Sequence, residues 1–496
     1  MKTFVGLSVF SFAVLGTAAI WMGGLNQDEG WYLYAAQLVS EGQWPYRDFF
    51  YTQGPLMPLV YSAFSWVWRF WGILGARVFN FAVGAFGLLL AVVLVRRLVP
   101  PERRGLAGTI VFFLLGSNLY HLYYLAIPKT YALAGLFTIA GFLFLALAAE
   151  GRKALALVAG LSLAFAAGTR ISLGALLAVC GVWLLMSRQW KSLVLFCVGG
   201  FAGLALVYGP FLFDPDARTG IIAAQAYHAA RGGFDPVWTV GSFSRLVRWY
   251  LPVFVLLGIG LALRVACPAP REDAKPADFA LLPFWGFLAV FTVQMLAPFP
   301  YEDYQVPVMG LLAVVATVLF TSTSASTSTS TFHLDLFPLL LVLGMTWAGS
   351  FGSPLLEQWS TNGQDRFWSL KKQKSELAQL RDVAREIEVM DPGGKDIFTQ
   401  DLYLAVETGR KVPKGLEMGP FAMLSDREWR QLLSASTCRV AALSGYAFAI
   451  RPPLCDERPV EQQLEYWSLL KRHYKLVMRE ENFGQNHTTL LVLERK

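Results

Sequence analysis

The stretch "LNQDEGWYLYAAQLVSEGQWPYRDFFYTQGP", Leu25 to Pro55, decides how the chain is read. It follows Phe4 to Met22, an apolar run of bilayer-spanning length. It then sets Asp28, Glu29, Arg47 and Asp48 among Trp, Tyr and Phe. A carboxylate in hydrocarbon costs about 2.5–3.5 kcal/mol at the centre of a span and less at its edge. Acids kept at such a boundary are therefore candidates for function, and burial there would raise a carboxyl pKa toward that of a general base. The plainer reading is a solvated loop whose side chains face water.

Composition favours a membrane setting. The 496 residues are 55% hydrophobic and 16% charged, against roughly 25% charged in soluble domains. The mean hydropathy is +0.45. Charged residues become frequent from Glu357 onward, so the chain divides near residue 350. Residues 1–350 read as a transmembrane domain and 351–496 as a soluble α/β domain. Lys and Arg gathered at membrane surfaces account for the net charge of +7 without a nucleic-acid partner. No cysteine has metal-ligand spacing with the five histidines. Cys438 and Cys455 share the tail, where an oxidising compartment would let them pair.

Apolar runs of spanning length fall near 3–22, 77–95, 105–123, 130–148, 154–169, 171–187, 192–213, 250–266, 279–297, 305–322 and 334–350. The first is read as an uncleaved span rather than a signal peptide. This count, about eleven, places Arg96, Arg97, Arg103, Arg104, Arg152, Lys153, Arg188 and Lys191 on one side, together with Arg264, Arg271 and Lys275. That side is then cytoplasmic, with the N-terminus inside and the tail outside. The segment "PLMPLVYSAFSWVWRFW", Pro55 to Trp71, reads as a helix lying in the outer interface, with a twelfth span as the competing reading. Thr321 to Thr331 and Cys267 to Asp278 read as connectors. In the tail, a helix is expected over Asp365 to Met390 and another over Val460 to Tyr474. Strands are expected at Asp396 to Asp401, Cys438 to Ser444 and Thr488 to Lys496.

On this topology Arg77, Lys129 and Arg170 fall at the outer interface, against the positive-inside trend. Snorkelling to headgroups would explain each one singly. Three together point to an anionic ligand such as a lipid phosphate. "PFPYEDYQVP", Pro298 to Pro307, is another outer loop, and Glu302, Asp303 and Tyr304 could line the same cavity or form a solvated turn.

The segment Gln27 to Phe49, the helix opening "GPLMPLVY" and Arg77 at the head of the next span together resemble the first outer loop of the GT-C membrane glycosyltransferases. The likeness is to bacterial proteins similar to protein O-mannosyltransferases and lipid A aminoarabinose transferases. Gly160 to Leu185, with Arg170 in place of the usual Lys, and "YEDYQVPVMGLLAVV" resemble later parts of that family. The resemblance implies a mainly α, polytopic enzyme of the bacterial inner membrane, with interfacial helices in its first outer loop. Its soluble domain would be periplasmic, in the cell envelope. It implies transfer of a sugar from a polyprenyl-phosphate donor to an acceptor hydroxyl on lipid, glycan or protein, with inversion. Asp28 would be the catalytic base and Glu29 its neighbour, and Arg77, Lys129 and Arg170 would hold the donor phosphate. Arg47, Asp48, Glu302, Asp303 and Tyr304 are further cavity-lining candidates. No cofactor is implied with certainty, and metal dependence stays open. Many relatives carry a second acid near the third or fourth span, where this chain has "YHLYYLAIPKTYAL" and Lys129. Glu29, Asp48, Glu302 or Asp303 would substitute, or one acid works alone, or catalysis is lost. The alternative of a different class is a transporter or flippase of a lipid-linked sugar, without covalent chemistry. A third is a structural or sensory protein with an outer binding domain.

Overall fold

The computed structural model of the chain describes residues 2–230, 233–266, 277–323, 344–345, 374–422, 424–444, 460–485 and 487–496. The expected span 334–350, both expected connectors, Cys455 and the start of the tail helix lie wholly or largely outside the described residues.

Helix α1, Lys2–Met22, leads through Gly23–Asn26 into α2, Gln27–Ser40. Asn26 starts α2 with a capping box: its side chain accepts from the first turn, and Glu29 reaches back to its backbone N–H. After the loop 41–55 come α3, Leu56–Ser62, and α4, Trp66–Leu98. Pro55 to Trp71 is thus two helical pieces rather than one. The second joins the long span through a break at Gly72, whose φ of 61° and ψ of −153° suit only glycine. Phe64, Trp66, Phe70 and Trp71 stay exposed on these pieces.

The bundle continues with α5, Arg104–Gly116; α6, Leu119–Ala126; α7, Thr130–Ala149; and α8, Leu155–Thr169. A 3-10 turn, Ile171–Gly174, leads to α9, Ala175–Met186, and α10, Trp190–Leu212. Then come α11, Pro215–Ala229; α12, Pro236–Trp249; α13, Leu251–Ala266; α14, Ala277–Met295; and α15, Val306–Thr323. The expected single span 105–123 is instead α5 and α6, bent by 70°. Extended Asn118 interrupts it and caps α6 by accepting from the His121 N–H. The pair α12 and α13 is bent by 85°, and the two breaks meet where the Asn118 amide donates to the Trp249 carbonyl at 2.9 Å. Among the described residues, five helices are long and apolar enough to cross a membrane, or up to seven if each bent pair is one span. Three further apolar helices are shorter. This is a multi-pass membrane protein.

The tail comprises α16, Glu376–Met390; α17, Leu402–Thr408; α18, Asp426–Ala435; and α19, Val460–His473. They accompany an antiparallel sheet of order β1-β3-β2, with β1 Val440–Ser444, β2 Tyr474–Phe483 and β3 Thr488–Arg495. Strands β1 and β3 are as expected. Residues Asp396 and Phe398 make only isolated bridges, to Lys411 and Ala441. Strand β2 went unforeseen because its "REEN" run is polar and half of it faces water. The hydrophobic cluster of the tail also takes in Trp31, Tyr32, Tyr51, Met57 and Trp68, so packing crosses the compositional boundary near residue 350.

The break at Gly72 is held from the tail. Glu407 accepts from the Ile73 N–H at 2.7 Å and from Arg381 at 3.3 Å. Burial lifts its carboxyl above the usual range. The folded chain then binds this proton more tightly than the unfolded one. The contribution of Glu407 to stability is complete below the unfolded carboxylate range and declines as pH rises through the folded value. As pH rises from the unfolded carboxylate range through the folded value, thermal midpoints should therefore fall less steeply for Glu407→Gln than for the wild type. Equal slopes would remove Glu407 as the cause.

Candidate functional site

Helix α2 presents different residues to different neighbours, and this separates two acids that are adjacent in sequence. Glu29 points inward and is fully buried, as is Arg77 on α4. The Arg77 Nε donates to Glu29 Oε2 at 2.9 Å and Nη2 to Glu29 Oε1 at 2.7 Å. Its remaining N–H groups donate to the carbonyls of Ile20, Gly23 and Gly24 at 2.8 to 3.2 Å. All five guanidinium donors are thereby engaged. Arg77 has none left for a phosphate, and Glu29 has no access to a substrate. The pair forms a structural pin that closes the C-terminal end of α1 and the glycines after it, where backbone carbonyls lack helical partners. Asn80, one turn along α4, does the same for α6 by donating to the Leu125 and Ile127 carbonyls at 2.8 and 2.7 Å.

Asp28 turns the other way, and its side chain keeps 32% exposure. Its Oδ1 accepts from the Trp31 indole at 3.0 Å. Its Oδ2 lies 3.1 Å from the buried Lys129 ammonium. Burial is therefore not what distinguishes Asp28; a fixed cation and an open side are. Lys129 precedes α7 and also lies 3.4 Å from Asp303, which accepts from the Tyr131 hydroxyl at 2.7 Å. Asp28, Lys129 and Asp303 thus form one row, joining the first loop, the α6–α7 corner and the 3-10 turn Glu302–Gln305.

Arg170 terminates α8 and is buried. Its guanidinium lies 4.9 Å from the ring centre of Tyr131 and 4.5 Å from that of Tyr304. One of its Nη atoms donates to Thr130 at 3.0 Å, while its Nε has no hydrogen-bond partner among the described residues. Arg170 and Tyr304 line a cavity of about 310 Å³ together with Gln53, Ser172, Gln294 and Tyr301. Gln294 is buried, and its Oε1 is likewise unpartnered among the described residues. Two buried polar atoms held without partners are costly unless a ligand or water meets them.

The other candidates lie elsewhere. Glu302 is buried and paired with Arg245 of α12 at 3.2 Å. Arg47 and Asp48 pair with each other at 2.8 Å. They line a separate cleft of about 460 Å³ against the tail, facing Lys411, Lys414 and Glu417. Sequence reading missed Tyr131, Trp31, Arg245 and Gln294. For Trp31 the i to i+3 spacing from Asp28 was the available signal. For the other three the decisive hydrogen bonds, to Asp303, Glu302 and Ser172, run to residues more than fifty positions away. Among the described residues no cluster of three His, Cys, Asp or Glu could hold a metal ion.

No protein-family model matches the sequence, and no curated protein matches it significantly. Solved structures do. ArnT from Cupriavidus metallidurans bound to undecaprenyl phosphate superposes with a TM-score of 0.61 at 14% identity, over 99% of this chain and 97% of that one. The same protein in the apo state gives 0.61 at 14% identity, over 99% of this chain and 98% of that one. An oligosaccharyltransferase from Archaeoglobus fulgidus, in complex with Zn and sulfate, gives 0.49 at 12% identity, over 95% and 72%. The chain thus shares the fold of that ArnT structure over nearly its whole length, a protein of the group whose first outer loop its sequence resembles.

The buried pair can be tested without any substrate. Arg77→Met leaves the Glu29 carboxylate without its cation and should cost about 3–5 kcal/mol of stability. Combining it with Glu29→Leu should restore much of that loss. Thermal unfolding of the purified protein in detergent measures both, and equal losses in single and double variants would show that the pair is not the pin.

Proposed function

We propose that the chain is a membrane glycosyltransferase that takes a sugar from a polyprenyl-phosphate donor and passes it to an acceptor hydroxyl on the extracytoplasmic face. The observation that carries this reading is the half-open Asp28 carboxylate, joined through Lys129, Asp303 and Tyr131 to a cavity edged by a buried, incompletely partnered Arg170. The bound undecaprenyl phosphate in the ArnT structure of the same fold supports a lipid-phosphate ligand.

In this mechanism Asp28 accepts the proton of the acceptor hydroxyl as its oxygen attacks the anomeric carbon. The bond from that carbon to the phosphate oxygen breaks, its electron pair leaves with the polyprenyl phosphate, and the configuration inverts. Lys129 holds Asp28 in place and, with Arg170, supplies fixed positive charge where the leaving phosphate gains negative charge. Arg77 has no part in donor binding, and Asp303 is the second carboxylate of the site. The site lies within the first domain, 1–350, and described residues of the second domain, 351–496, pack against its first loop.

The test is transfer by the purified protein in lipid, supplied with polyprenyl-phosphate sugars. Asp28→Asn should lower turnover by about 10²–10⁴-fold while donor binding persists. Undiminished turnover would exclude Asp28 as the base. Movement of a lipid-linked sugar across the bilayer with no release of polyprenyl phosphate would favour a carrier instead. Arg170→Ala should weaken donor binding by about tenfold or more, measured with the donor lipid in nanodiscs; unchanged affinity would place the phosphate elsewhere.

A further inference from the structure

We infer that the C-terminal segment is a positioning domain for Asp28, acting through the three residues that precede it. This inference rests on the proposed role of Asp28 and adds what holds that residue in place.

Residues Leu25 and Asn26 end the link between α1 and α2 and Gln27 opens α2, so this stretch carries backbone N–H groups that neither helix satisfies. Three separate parts of the tail meet them. Glu376, at the start of α16, accepts from the Leu25 N–H at 2.7 Å. Gln485, in the turn between β2 and β3, accepts from the Gln27 N–H at 2.6 Å. Asp401, just before α17, accepts from the Gln27 side-chain amide at 2.7 Å. These acceptors lie more than 350 residues away in sequence and converge on the residues immediately before Asp28.

The grip continues along one side of α2. A Cβ at Gly30 would run into the backbone nitrogen of Tyr403 on α17, so helix and tail touch backbone to backbone. Further along, the Val412 N–H donates to the Tyr34 hydroxyl at 3.0 Å, and Lys411 pairs with Glu41 at 2.7 Å. Residues 27, 30, 34 and 41 follow helical periodicity and mark the tail-facing side. Asp28 and Trp31 lie on the neighbouring side, where the Trp31 indole donates to Asp28 and Asp28 faces Lys129. The helix is therefore held between the tail and the site. A shift of its first turn would carry the Asp28 carboxylate away from Lys129 and from the acceptor. Displacement of a reacting group by about 1 Å can cost on the order of 10²-fold in rate.

Gln485→Ala and Glu376→Ala in the full-length protein test this, with Glu376→Gln as the conservative control that keeps the acceptor oxygen. Two readouts are needed: transfer kinetics, and amide hydrogen exchange over residues 25–31. The expected result is about a tenfold or greater fall in kcat with KM for the donor little changed, faster exchange over 25–31, and recovery of both in Glu376→Gln. Faster exchange with unchanged kcat would overturn the positioning role, and unchanged exchange would show that the tail does not hold this segment. If the wild-type protein transfers no sugar, that failure belongs to the proposed function. The exchange arm then decides the clamp alone, faster exchange over 25–31 supporting it and unchanged exchange overturning it.

Discussion

A single buried guanidinium organises the polar end of the helical bundle. Arg77 sits on a long apolar helix, where an unpaired charge would be very costly to bury. Its burial is possible because Glu29 supplies the opposite charge, while the last turn of α1 and the two glycines after it supply three carbonyls. The arrangement solves two problems together: the ion pair is fully hydrogen-bonded, and the end of α1 is closed. It also sets the rotation of α2 about its axis. With Glu29 fixed inward, Asp28 must project to a different side, toward Lys129.

This division of labour between neighbouring acids gives the candidate site its character. One carboxylate is consumed by structure. The other keeps an open side while two donors hold it. A lysine stands between it and Asp303, so the row carries two negative charges and one positive charge. Arg170 stands beyond Tyr131, stacked between rings that strip water from its faces without satisfying all of its donors. In water-poor surroundings such fixed charges act on a developing negative charge more strongly than they would in bulk solvent.

The tail is bound into the same logic. Its hydrophobic core is continuous with the aromatic side chains of the first loop, and its buried carboxylates meet backbone groups of the membrane part at Leu25 and Ile73. Both contact points are breaks: the link between α1 and α2, and the glycine break in α4. Chain breaks expose N–H groups that helices cannot use. The tail provides acceptors for them that a lipid surface lacks.

Much was legible without coordinates. Span-length apolar runs, the compositional change near residue 350, the isolated cations beside apolar runs and the aromatic setting of Asp28 follow from hydropathy and charge, because lipid tolerates few polar groups. The strands β1 and β3 were legible from their apolar runs, whereas polar β2 was not. What the residues alone could not decide was which charges are spent on one another. Arg77 and Lys129 look alike in sequence, as lone cations beside apolar runs, and so do Asp28 and Glu29. Only the tertiary structure saturates Arg77 with Glu29 and carbonyls and leaves Asp28 facing Lys129, because hydrogen-bond saturation depends on partners that lie dozens to hundreds of residues apart. The same holds for the tail: its acceptors for Leu25 and Gln27 are ordinary polar residues until folding brings them to a helix start that needs them.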